Sequence, residues 1–329
     1  MKTKLLRYLE ARKGEYVSGE SLAEMFGVSR AAVWKAIASL RNEGHVITAA
    51  TNKGYSLVRT SDALTAEGIR ASLKPASRVA KVLCFDEIDS TNNYAKKLAV
   101  SGAPHGTLVA ANRQTAGRGR HGHTFESPAG TGLYMSLILR PSIDVERFQM
   151  ITIADAVAVC LAVEELYPAS RGQLGIKWVN DVFFRGRKIT GILTEAVSSF
   201  ESGEIESVVT GIGINVSTRN FSEDVSRTAG AIFAEGEEHT FRRDELCARA
   251  ADHIMDFAEN LGSPEIINAY RERSILTGQD ITYMKNDSQC RGHVEGIDDF
   301  GGLVVVNEAG ELETLRSGEV FMVRQEERK

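Results

Sequence analysis

At 329 residues and 43% apolar content, the chain can bury more than one core, and two or three domains are expected. The net charge of −5 is unevenly spread: residues 1–60 balance to +5 and the remainder to −10, so a polyanion is expected to meet only the first sixty residues. No apolar stretch is long enough to cross a bilayer, and no secretory signal is seen. Cys84, Cys160, Cys247 and Cys290 form no C-x-x-C pair, so they read as reduced thiols of a cytoplasmic protein, not as a disulfide or zinc framework.

Leu5, Leu6 and Leu9 give a first helix one apolar face. Ser18 is placed to cap a second, carrying Leu22, Ala23, Met25 and Phe26, and Gly27 makes the turn. Ser29 caps a third helix, Arg30 to Glu43, ended by Gly44. Its core stripe is Val33, Ile37 and Leu40, with Ser29, Arg30, Ala32, Trp34, Lys35 and Arg41 off that stripe. Val46 to Thr48 and Tyr55 to Val58 read as a hairpin around Asn52-Lys53-Gly54. This is the pattern of a winged helix-turn-helix over residues 1–62, closed by a polar linker, Arg59 to Asp62. DNA contacts are expected from Ser29, Arg30, Ala32 and Lys35, with Lys53 of the wing on a phosphate. A plain three-helix core with a solvated basic face is the alternative.

Residues 63–274 mix strands and helices without a regular βαβ alternation, so an α+β domain is expected. Helices are predicted at Asn92 to Ala99, Phe148 to Leu166, Arg243 to Asn260 and Pro264 to Arg273. Strands are predicted at Thr107 to Ala111, Leu133 to Leu139, Ile176 to Val179, Ile192 to Ala196 and Val208 to Val216. Residues 275–329 alternate short strands with glycine turns and read as a small β-barrel.

Gly117-Arg118-Gly119-Arg120-His121-Gly122 fits G-x-G-x-x-G, yet the segment after it carries a proline and two glycines in place of a helix. It reads as a loop that wraps arginine forks and bare amides around a phosphate-bearing ligand, ordering when that ligand binds. In 208–216, Val208, Thr210, Ile212, Ile214 and Val216 share one strand face, and Gly211, Gly213 and Asn215 the other. The face without side chains suits close approach by a flat ligand or by a neighbouring helix. Lys188 follows an Arg185-Gly186-Arg187 turn, and Asn180-Asp181 ends a strand. His121 and His123 lack a third metal ligand and read as solvated.

Five segments in order resemble the biotin–protein ligases: Asp89-Ser90-Thr91-Asn92, Asn112 to Gly122, Lys177-Trp178-Val179-Asn180-Asp181, Gly186 to Leu193, and Gly211-Ile212-Gly213-Ile214-Asn215. The resemblance covers nearly the whole chain. It implies a class II aminoacyl-tRNA-synthetase-like catalytic domain with a small Src-homology-3-like tail. It also implies ATP-dependent conversion of biotin to biotinyl-5'-adenylate and transfer to a lysine of the biotin carboxyl carrier protein of acetyl-CoA carboxylase. By the same resemblance, Lys188, Arg118 and Arg120 are catalytic. Ser90, Thr91, Asn92, Gln114, Gly117, Gly119, Gly191, Gly211 and Gly213 join them around biotin. Asn180, Asp181 and Asn215 join the cations around ATP, with Asp181 on Mg²⁺. Relatives with such a head are similar to bifunctional repressors of biotin-synthesis genes, which implies operator DNA as a partner and a homodimer with biotinyl-adenylate as corepressor. The chain departs from the pattern at Phe125 (commonly Trp), Val179 (commonly Pro), His123 (commonly basic) and in 226–232, which lacks the usual Thr-Ser-Leu run. The competing readings are a lipoate or octanoate ligase, whose Arg-Arg-x-Ser-Gly-Gly-Gly run is missing, and a ligand-sensing regulator without transfer activity.

Overall fold

The computed structural model describes residues 1–42, 44–58, 62–141, 147–198, 205–285 and 288–323. In the head, α1 (Lys2–Glu10), α2 (Gly19–Phe26) and α3 (Arg30–Asn42) precede a hairpin of β1 (Ile47–Ala50) and β2 (Gly54–Leu57). Ser18 caps α2 by accepting from Ser21 N–H at 3.0 Å, and Gly27 ends it at φ +62°. Leu5, Leu6, Leu9, Leu22, Val33, Ile37, Leu40, Ile47 and Leu57 form a core of their own. The expected winged arrangement is present, with the wing shifted by one or two residues: Ile47 pairs with Leu57 and Ala50 with Gly54.

The body holds α4 (Ala66–Ser72), β3 (Lys81–Phe85), α5 (Thr91–Val100), β4 (Thr107–Ala111), β5 (Gly132–Leu139) and α6 (Phe148–Leu166). There follow β6 (Leu174–Lys177), β7 (Asp181–Phe184), β8 (Arg187–Ser198), β9 (Ile205–Asn215), α7 (Glu223–Ser226), α8 (Arg243–Ala258) and α9 (Pro264–Arg273). One seven-stranded sheet runs β3-β4-β5-β9-β8-β7-β6, antiparallel except for β3–β4. Helix α6 is apolar nearly all round because it is sandwiched between the sheet and α8 and α9. On the other face, Ala95 and Ala99 of α5 pack on Val109, Ile138 and Val209. The helix reaches β8, where Asn92 and Lys96 bond to Glu195, and the functional cleft opens beside it. No helix among the described residues is long and apolar enough to cross a membrane.

Asp181, expected to end a strand, instead opens β7, and two strand limits change. The strand predicted at Ile176 to Val179 ends at Lys177: Trp178 leaves the sheet to donate its indole N–H to Gly301 O (2.9 Å), and Val179 O accepts from Tyr270 Oη (3.2 Å). The strand predicted at Ile192 to Ala196 is longer, running from Arg187 to Ser198: pairing with β7 draws in Arg187 and Lys188, and pairing with β9 holds Thr190 to Ser198, Gly191 included. The turn proper is Arg185-Gly186, both at positive φ.

The tail is a five-stranded antiparallel sheet, β13-β12-β11-β10-β14, built from β10 (Asp280–Lys285), β11 (Ser288–Ile297), β12 (Leu303–Asn307), β13 (Leu312–Leu315) and β14 (Val320–Met322). Its buried side chains are continuous with the body core. Gly301 allows this docking: a Cβ there would lie 2.9 Å from Ile153 Cγ1 on α6. The linker expected at Arg59 to Asp62 falls mostly outside the described residues. Asp62 itself is bound to the body, accepting from Arg243 N–H and Nε at 2.8 Å each.

Candidate active site and nucleic-acid interface

A cleft of about 530 Å³ opens over the bare face of β8 and β9, roofed by the 118–125 loop and the end of the tail. It brings together Ser90, Thr91, Asn92, Gln114, Arg118, Gly119, Arg120, Asn180, Asp181, Lys188, Gly191, Gly211 and Gly213. Gly117 and Asn215 do not line it. Gly117 lies behind the loop, where a Cβ would strike Phe125 O at 2.3 Å; Asn215 is 5% exposed at the end of β9, beside β5.

The wall is a hydrogen-bonded relay. Ser90 caps α5, and Thr91 N–H and Oγ1 both reach Gln114 Oε1, at 2.8 and 3.1 Å. Gln114 Nε2 donates to Ser127 Oγ at 2.9 Å. Asn92 Nδ2 donates to Leu193 O (3.1 Å) and Glu195 Oε2 (3.0 Å), and its Oδ1 accepts from Ser136 Oγ at 2.6 Å. The wall therefore offers donors and acceptors whose orientation is already set.

The floor is less open than the alternation of 208–216 implies. A Cβ on Gly211 would lie 2.0 Å from Asn92 Oδ1, and one on Gly213 would lie 2.4 Å from Phe125 Cε1. The same ring stands 3.2 Å from the Cβ position of Gly191. Both readings of the glycine face thus apply: a residue of the neighbouring helix fills the space over Gly211, and a loop phenylalanine lies over Gly191 and Gly213.

Four cations face this floor. Lys188 Nζ pairs with Asp181 Oδ1 at 2.7 Å. Arg120 Nη1 donates to Asn180 Oδ1 (3.1 Å) and Nη2 to Gly318 O (3.4 Å). Arg118 Nη1 donates to Asn93 Oδ1 (3.1 Å) and stands 3.6 Å from Glu195. Lys177 is the fourth: burial pushes its ammonium below the usual lysine value, with Asp181 opposing and Lys188 adding to the shift. Burial alone would raise the Glu195 carboxyl, but bonds from Lys96 and Asn92 outweigh it and hold the group ionised. Such a cluster lowers the cost of bringing two anions together.

Sequence reasoning gave no role to Lys177, Phe125, Thr124, Asp224, Thr228 or Gly318 to Phe321, all of which line the cleft. Thr228 belongs to the divergent 226–232 segment, which pairs with the start of β8: Lys188 N–H donates to Thr228 O at 2.9 Å and Gly230 N–H to Lys188 O at 2.8 Å. His123 is 70% exposed and pairs with Glu319 at 3.3 Å; His121 is exposed. No group of three or more His, Cys, Asp or Glu side chains that could hold a metal exists among the described residues.

On the head, Ser29, Arg30, Lys35 and Lys53 are exposed, whereas Ala32 is half-buried, its N–H donating to Ser29 Oγ at 3.2 Å.

Three family descriptions match successive parts of the chain: "HTH domain" over 2–56, "Biotin/lipoate A/B protein ligase family" over 84–215, and "Biotin protein ligase C terminal domain" over 278–323. The bifunctional ligase/repressor BirA of Bacillus spizizenii is 38% identical over 315 residues, covering 93% of this chain and 94% of that one. The biotin–[acetyl-CoA-carboxylase] ligase of Paracoccus denitrificans is 34% identical over 239 residues, 71% of this chain and 97% of that one. Among solved structures, the biotin protein ligase from Aquifex aeolicus in complex with biotin and ATP is 26% identical with a TM-score of 0.61, covering 75% of this chain and all of that one. The chain belongs to the bifunctional ligase/repressor family of biotin protein ligases.

Proposed function

We propose that the chain is a biotin–[biotin carboxyl carrier protein] ligase that also represses biotin-synthesis genes. The observation that carries the enzyme reading is the convergence of Arg118, Arg120, Lys177 and Lys188 on a glycine-floored cleft with a fixed polar wall. An oxygen of the biotin carboxylate attacks the α-phosphorus of ATP, the bond to the bridging oxygen breaks, and pyrophosphate leaves. The amine of a carrier lysine then attacks the acyl carbon, the bond to phosphate oxygen breaks, and AMP leaves with the amide formed. Lys188, at the start of β8, would bond the carboxylate and then the α-phosphate oxygens. Arg118 and Arg120 supply forked donors from the loop. The Ser90, Thr91 and Gln114 wall suits a ureido ring, and Phe125 with Gly191 and Gly213 suits an apolar bicycle and tail.

Asp181 fits a magnesium ion that arrives with the nucleotide, because Mg²⁺ needs only one or two protein carboxylates beside phosphates and water. The ion would neutralise phosphate charge. The antiparallel sheet backed by α6, α8 and α9 supports the class II synthetase-like reading of the body, and the short five-stranded tail supports the Src-homology-3-like one. Free thiols at all four cysteines fit a cytoplasmic location.

The head supports operator binding. A single helix-turn-helix unit buries little surface on DNA, so two heads on two half-sites bind far better. Biotinyl-adenylate, by ordering the 118–125 loop, would favour the homodimer and so act as corepressor. Radiolabelled biotin, ATP, Mg²⁺ and an authentic carrier domain test the enzyme: covalent label on the carrier is expected, with lipoate inert, and an unlabelled carrier refutes the reading. A gel shift on the promoter of the biotin-synthesis genes, with and without biotin plus ATP, tests the corepressor; equal affinity in both lanes refutes it.

A further inference from the structure

The chain has two tryptophans, in opposite situations. Trp178 is 4% exposed, with its indole N–H bonded to Gly301 O. Trp34, on α3, is 60% exposed, and its indole N–H meets no partner among the described residues. The helix turns Val33, Ala36, Ile37 and Leu40 into the head core and leaves Trp34 outside it. Along the helix, Trp34 stands one turn from Ala31 on one side and one turn from Ala38 on the other. The large ring therefore protrudes between two one-carbon side chains, with exposed Arg30 and Lys35 beside it.

A single exposed ring is ordinary on a protein surface; Trp34 is set apart by its place on the outward face of α3 beside Arg30 and Lys35, where a recognition helix meets DNA. Charge decides what covers it: the first sixty residues balance to +5, which suits a polyanion. Trp34 is the fifth residue of α3, and the first turns of a recognition helix reach base edges in the major groove. The apolar feature there is the thymine 5-methyl group. We propose that Trp34 reads thymine, packing its indole against the 5-methyl group of an operator base while Arg30 and Lys35 set the register on the duplex. This rests on the repressor reading above.

The test uses the full chain with biotin and ATP. A labelled duplex is first recovered from random-sequence DNA by selection with the wild-type protein, then resynthesised with deoxyuridine in place of thymidine. For the wild type, affinity is expected to fall about tenfold or more between the thymine and uracil duplexes. Trp34→Ala is expected to lose a similar factor on the thymine duplex and almost nothing further on the uracil one, with an unchanged salt slope and an unchanged circular dichroism melt. Equal affinity of variant and wild type on the thymine duplex overturns the inference, as does an equal loss on both duplexes. A dimer lost in Trp34→Ala without DNA, seen by sedimentation, also overturns it by placing the ring in a protein contact. If the wild type enriches no sequence at all, the repressor reading itself fails, and this inference with it.

Discussion

Adding one methyl group at Gly211 or at Gly213 separates two demands on the same strand face. At Gly211 the new carbon would lie 2.0 Å from Asn92 Oδ1 and 2.6 Å from Asn92 Cγ. Asn92 is 4% exposed, and its amide is held by Ser136, Leu193 and Glu195. It can yield only by giving up those bonds, each worth about 1 kcal/mol. Gly211→Ala is therefore expected to destabilise the fold by about 2–4 kcal/mol. At Gly213 the new carbon would lie 2.4 Å from Phe125 Cε1, but that ring is half-buried on a loop and can lift. The expected stability cost is about 1 kcal/mol. The methyl group and the displaced ring then intrude on the floor where the biotin rings would rest. The KM for biotin is expected to rise about 10- to 100-fold, equivalent to about 1.4–2.8 kcal/mol. Urea unfolding followed by circular dichroism gives the first quantity, and pyrophosphate release against biotin concentration gives the second. Wild-type stability in Gly211→Ala, or a wild-type KM in Gly213→Ala, would refute the division of the floor between packing and ligand.

Lys188→Ala is expected to slow adenylate formation by about two to three decades while changing stability by less than about 1 kcal/mol, since its pair with Asp181 is partly solvated; wild-type pyrophosphate release would reduce Lys188 to a structural role. Asp155 on α6 is fully buried, and burial lifts its carboxyl from 3.8 to about 7, against the bond it accepts from Thr210. Because the folded value is raised, the cost of the carboxyl is absent below the unfolded value, grows as pH rises and is complete above about 7. Asp155→Asn is thus expected to exceed wild-type stability by about 4 kcal/mol at pH 8 and about 2 kcal/mol at pH 5.5, and a difference that does not change with pH in urea melts would count against it. Arg30→Ala is expected to abolish operator binding in a gel shift. Lys53→Ala should weaken binding to all sequences alike and reduce the salt slope by about 1, so a sequence-dependent loss would place Lys53 on a base edge.

Patterns that are local in the chain were legible from it. The limits of α6 and α9 were readable because a continuous apolar run or a Pro start marks a helix without outside help. The alternation of 208–216 gave the bare face of β9, and the head followed from its stripes, its caps and one turn. Arg118 and Arg120 were readable as a phosphate-wrapping loop from the glycines between them, whereas Lys188 and Asp181 were singled out by resemblance alone, since a lysine after a turn and an Asn-Asp pair beside a strand are ordinary turn chemistry. Tertiary structure alone decided what covers that face. Phe125 comes back over Gly191 and Gly213 from a loop more than sixty residues away, and Asn92 fills the space over Gly211 from another helix. Lys177 becomes a site residue only because β6 and β7 turn it toward Asp181, and Gly318 to Phe321 arrive from the far end of the chain. Gly117 and Asn215 carried the right motif yet point away, since a loop's path and a strand's last residue are set by their neighbours in space. Periodicity fixes which side chains share a face, but the partner that face meets is chosen by packing between segments far apart in sequence.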